Sequence, residues 1–107
     1  MGMPRRLMFV QLKSGYGTDR GPSWICWVDF TRSWATARFH GRELRRWRVV
    51  GANFYDAETG EEFWVSGPKQ DRTDTRYGPG APEIDDDARD AYEKFLNGAP
   101  LPGRTNG

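Results

Sequence analysis

Phe54 and Tyr55, then Asp56-Ala57-Glu58-Thr59-Gly60, then Phe63-Trp64-Val65 leave this chain few folds to choose from. Two aromatic-rich segments joined by turn-forming residues make a β-hairpin. After Ser66-Gly67-Pro68 the chain becomes polar. Lys69, Asp71, Arg72, Asp74, Arg76 and Tyr77 carry more hydrogen-bonding groups than a connector needs.

The segments before the hairpin repeat the strand signal. Trp24, Cys26, Val28 and Phe30 fall on one face of an alternating run; Ile25, Trp27 and Asp29 fall on the other. The second face is hardly polar, so both sides are expected to be at least half covered. Leu7 to Leu12 is apolar nearly throughout, which suits a strand covered on both faces or one closing a barrel. Lys13 to Ser23 reads as a loop, broken by Gly15, Gly17, Gly21 and Pro22. Trp34 to His40 sets Ala35, Ala37 and Phe39 against Thr36, Arg38 and His40. His40-Gly41 then makes a hairpin turn into Arg42 to Arg46, where Leu44 faces the core and the arginines mostly face solvent. Trp47 to Ala52 either ends that strand or links it to the next. Composition agrees: Leu and Ile are scarce, Trp, Phe, Tyr, Val and Thr are plentiful, and aromatics make up 14% of the chain.

Only one helix is legible. Ala88, Ala91, Tyr92, Phe95 and Leu96 recur at helical spacing over about 85–97 and form one apolar stripe. Asp85 or Asp86 is placed to accept from first-turn N–H groups, and Asn97-Gly98 followed by Pro100 stops the helix. Strands this short cannot bury two faces of a flat sheet. The expected fold is therefore α+β and mainly antiparallel β: a small curled sheet or barrel (SH3-like or OB-like) of about five strands in meander order, plugged by the C-terminal amphipathic helix. Its 107 residues suit a single domain over 7–98, with an N-terminal arm at 1–6 and a loose tail at 99–107.

Several chemistries are poorly served. His40 stands beside a turn glycine with no nucleophile at a recognisable spacing, and Cys26 lacks a nearby basic group that would make it a thiolate. One Cys and one His cannot complete a zinc set. Asp71 and Asp74 lack the other ligands of a calcium loop, while Asp85 to Asp87 are accounted for by the helix start. Gly15-Tyr16-Gly17 is too short for a phosphate loop. No metal and no cofactor are expected. The N-terminal apolar run is too short for a signal peptide or a membrane span, and a lone Cys in an apolar strand suits a reduced thiol in the cytoplasm.

Binding chemistry is better represented. The net charge is only +1, yet Arg42 to Arg48 is basic and Glu83 to Asp90 is acidic, so the surface is dipolar. Arg38, Arg42, Arg45 and Arg46 beside Trp47, with Trp64 on the following hairpin, combine guanidinium forks with aromatic planes. That is the chemistry of phosphate contacts and base stacking on a sheet face. The bland reading of the same residues is a solvated strand face whose Arg stems cover apolar surface. Lys69 to Tyr77 reads equally as a recognition loop or as a loop held by its own ion pairs.

Taken together, FVQLKSGYGTDRGPSWI, ATARFHGRELRR, NFYDAETGEEFWVSGPKQDRTDTRYG and EIDDDARDAYEKFL resemble a group of short uncharacterised bacterial proteins, mainly actinobacterial. The similarity covers about residues 9 to 96. Some members carry the label of an isoprenoid-pathway synthase, a thiamine-diphosphate enzyme several times this length. This chain has neither room for its domains nor a glycine–aspartate–glycine diphosphate motif. The resemblance implies one compact domain running to the helix, and it supplies no site residues. The leading functional expectation is a non-enzymatic module that binds single-stranded nucleic acid through the Arg and Trp residues named above. The alternative is a protein-interaction module using a sheet edge or the 69–77 loop. A small enzyme, with His40 or the Asp71/Asp74 pair in a pocket, ranks third.

Overall fold

A computed structural model describes residues 5–13, 21–49, 52–69 and 82–99. Six antiparallel strands form the sheet: β1 (Arg5–Leu12), β2 (Ser23–Phe30), β3 (Thr36–Phe39), β4 (Arg42–Val49), β5 (Ala52–Asp56) and β6 (Glu62–Ser66). Each strand pairs with the next along the chain. β1 also pairs with β6, which closes the sheet into a barrel. The expected small α+β barrel with a C-terminal helix is present, built from six strands where about five are legible in the sequence. β1 begins at Arg5, so part of the expected 1–6 arm belongs to the barrel. Of the ambiguous Trp47 to Ala52 stretch, Trp47 to Val49 continue β4 and Ala52 begins β5, while 50 and 51 lie outside the described residues.

Turn chemistry sets the hairpins. His40 and Gly41 have φ of 48° and 77°, the left-handed pair a two-residue hairpin turn requires, and Phe39 pairs with Arg42 directly across it. The β5–β6 turn is held by Asp56. Its Oδ1 accepts the N–H groups of Glu58 (2.8 Å) and Thr59 (3.2 Å), and Gly60 at φ 78° completes the reversal.

Alternation along the strands builds two separate cores. Val10, Cys26, Val28, Phe30, Ala37, Phe39, Leu44, Phe54, Phe63 and Val65 fill the barrel interior. Leu7, Phe9 and Ile25, on the opposite faces of β1 and β2, are buried against Ala88, Tyr92 and Phe95. The helix does not plug the barrel as expected; it lies outside, on β1 and β2. The cause is the doubly apolar patterning of those two strands, whose outer faces need a cover that the other four do not.

The chain reaches that cover through β7 (Glu83–Ile84), a two-residue strand parallel to β2. β3 pairs with β2 only at Asp29 and Phe30, which leaves the edge of β2 near Trp24 and Ile25 for β7 to occupy. A 3-10 turn (Asp86–Ala88) and α1 (Arg89–Leu96) follow. Trp27 Nε1 donates to the Asp87 carbonyl (2.8 Å), tying this segment to β2. Neither helix start has a side-chain cap, contrary to the role expected of Asp85 or Asp86. Among the described residues no helix is long and apolar enough to cross a membrane.

Candidate functional site

The residues expected to bind nucleic acid divide between two faces of the sheet. Leu44 points into the barrel, so Arg45 and Trp47 point out. By the same parity Arg38 lies on the outside of β3, Tyr55 on the outside of β5 and Trp64 on the outside of β6. Trp47 and Trp64, 41% and 38% exposed, are the exposed large hydrophobics among the described residues, and they share this face. The Trp47 and Tyr55 rings are 4.8 Å apart, and Tyr55 stands directly across from Arg45 in the ladder. Glu43 approaches both Arg45 (3.3 Å) and Arg38 (3.9 Å). These three side chains are well exposed, so water screens their attraction. β4 and β5 lie across the barrel from β1 and β2, so the helix leaves this aromatic and arginine surface uncovered.

Arg42 and Arg46 do not join it. They share the parity of Leu44 and sit at opposite ends of the barrel interior. Arg42 lies over the Phe63 ring (5.4 Å) and gives Nη1 to Asp56 Oδ2 and Glu61 Oε1, both at 2.8 Å. Burial alone would raise the Asp56 carboxyl. The Glu58 N–H, the Arg42 guanidinium and the Thr59 N–H outweigh it and hold the group below its ordinary range. Glu61 is likewise lowered, by its bonds from Arg42 and then Thr59. Arg42 is therefore committed to closing one barrel end. Arg46 lies over Phe54 (5.5 Å) at the other end, and no carboxylate pairs with it among the described residues.

One cluster has no local signal in the sequence. Cys26 on β2, His40 in the β3–β4 turn and Asp85 after β7 bring a sulfur, a ring nitrogen and a carboxylate oxygen within 4.8 Å of one another. His40 Nε2 is 2.7 Å from Asp85 Oδ2, and the His40 ring stacks on Phe39 at 4.1 Å. Cys26 is fully buried, and burial, aided by the charges of Asp85 and Asp87, pushes its thiol up to about 12. A thiol so raised stays protonated at neutral pH and is a poor nucleophile. The His40–Asp85 contact acts mechanically, fastening the entry of the helix to the barrel.

Of the recognition-loop candidates, Lys69 is exposed at the end of the described β6 segment. Asp71, Arg72, Asp74, Arg76 and Tyr77 lie outside the described residues. No protein-family model matches the chain, and no curated protein or solved structure matches it either.

Proposed function

We propose that the outer face of β3 to β6 is a binding surface for single-stranded nucleic acid, and that the protein works by binding, in the reducing cytoplasm. The observation that carries this reading is the shared face of Trp47, Tyr55, Trp64, Arg38 and Arg45. Bases stack on exposed indole and phenol rings, and guanidinium groups track the phosphates. The lone Cys26, buried and protonated, suits a compartment where thiols are kept reduced.

A protein partner is the second reading, and Glu43 favours it. By approaching both arginines it balances part of the charge that phosphates would seek. Trp, Tyr and Arg together are also the residues that dominate protein interfaces. Fluorescence anisotropy with labelled single-stranded DNA and RNA across a salt series separates the two. Nucleic-acid binding requires affinity that falls linearly in log–log form with salt, by a slope matching a few phosphate contacts. No binding at low salt removes that reading and leaves the face to a protein.

A further inference from the structure

The end of the barrel opposite the Arg42 ion pairs holds a cavity of about 160 Å³. We propose that it is a binding pocket for a small organic carboxylate, held between Arg6 and Arg46 with its apolar body on the barrel core.

The two barrel ends provide an internal comparison. Both present inward-facing arginines. Arg42 has two carboxylates at 2.8 Å, whereas Arg6 and Arg46 line a cavity whose described walls include no acid. Arg6 lies over the Trp34 ring at 4.5 Å, and its Nε is buried without a hydrogen-bond partner. A buried guanidinium N–H left unbonded is costly, and natural proteins rarely keep one without a reason. The other polar wall residue, Asn53, cannot relieve it. Its amide donates to the Val65 carbonyl (2.7 Å) and accepts the Val65 N–H (2.8 Å), stitching β5 to β6.

Trp34 supplies a second, independent sign. It has φ of 62°, a left-handed conformation that is unfavourable for so bulky a side chain. Strain of this kind persists where the surrounding structure enforces it, commonly at ligand sites. Here it sets the indole 4.8 Å from Phe30 and beneath Arg6, as one wall of the cavity.

The ligand class follows from the walls. Met8, Phe30, Phe54 and Val65 offer an apolar lining, with the Arg46 guanidinium over the Phe54 ring and the Arg6 guanidinium over Trp34. A planar carboxylate with two acceptor oxygens matches guanidinium forks. A phosphate dianion would seek more donors than these walls offer, and it would leave the apolar lining uncovered. The cavity volume is close to the roughly 150 Å³ of an engineered protein cavity that accepts benzene, so the body is a single ring or a short branched chain. This pocket is separate from the outer face and does not depend on nucleic-acid binding.

The test uses the full chain, ¹⁵N-labelled, with three probes: benzoate, its neutral isostere benzamide, and inorganic phosphate. Benzoate is expected to shift the Arg6 Nε–H resonance and raise the melting temperature, with benzamide and phosphate each roughly tenfold weaker or more. Arg6→Gln and Arg46→Gln should each weaken benzoate by a similar factor. Should Arg6→Gln fail to fold, Arg46→Gln decides, with the Arg6 resonance as reporter. Equal binding of benzamide would reduce the site to an apolar hole and overturn the proposal. Phosphate binding as tightly as benzoate would overturn it too, as would an Arg6 resonance that no probe moves.

Discussion

His40 Nε2 and Asp85 Oδ2 meet at 2.7 Å, joining the tight turn between β3 and β4 to the residue that precedes the 3-10 turn and helix. The Asp85 backbone is held as well, its N–H donating to the Ile25 carbonyl at 2.9 Å. The carboxylate is thereby withdrawn from capping. The helix start relies instead on burial of Ala88, Tyr92 and Phe95 against β1 and β2. His40 ties a sequence-distant segment to the barrel where β3 falls short of β2.

If this latch holds the helix entry, it also guards Cys26. Alkylation of the thiol at neutral pH should be slow, because burial both excludes the reagent and pushes the group up to about 12. His40→Ala should speed alkylation roughly tenfold, matching the loss of a hydrogen bond worth about 1.5 kcal/mol. Thiol-labelling time courses provide the measurement. A wild-type rate in the variant would mean that the contact contributes nothing to local stability.

The turn carboxylate Asp56 is expected to matter more than the less buried Glu61. Asp56→Ala removes the Arg42 pair and leaves the N–H groups of Glu58 and Thr59 without their acceptor. The expected loss is about 2–4 kcal/mol in a denaturant titration. Glu61→Ala should cost clearly less than Asp56→Ala in the same titration, since solvent reaches that pair and screens it.

Acid should weaken the protein through the same two carboxyls. Both have folded values below their ordinary ones, so the unfolded chain binds protons first as pH falls. Their stabilisation is complete above the ordinary carboxyl range of about 4 and is lost progressively below it. Melting temperatures from neutral pH down to acid should therefore decline, with a shallower decline in Asp56→Asn. Parallel declines would remove Asp56 as the cause.

On the outer face, binding and stability should separate. Trp47→Ala and Trp64→Ala are each expected to change stability by no more than about 1 kcal/mol, as suits half-exposed side chains. Each should weaken single-stranded nucleic acid by about 1–3 kcal/mol, the range of one base stacked on one ring. Arg45→Ala should flatten the salt dependence by about one phosphate contact. Anisotropy titrations beside thermal melts give both numbers. Equal oligonucleotide affinity in all three variants would place nucleic-acid binding elsewhere or nowhere.

The doubly apolar patterning of Leu7 to Leu12 and Trp24 to Phe30, the His40-Gly41 and Asp56–Gly60 turns, and the helical stripe from Ala88 to Leu96 were all legible in the chain itself. Each depends on interactions between residues near in sequence, or on a period that local geometry imposes. Tertiary structure decided where those elements meet. The Arg38 to Arg46 cluster looked like one basic patch, but strand parity put Arg42 and Arg46 at the two ends of the barrel and Arg38 and Arg45 on its outer face. The β4–β5 register then brought Arg42 to the two carboxylates of Asp56 and Glu61, while closure of the sheet placed Arg6 and Arg46 on one cavity whose described walls include no acid. The meeting of Cys26, His40 and Asp85 likewise required β7 to dock beside β2. Periodicity assigns a side chain to one of two faces; only the register of distant strands determines what lies opposite it.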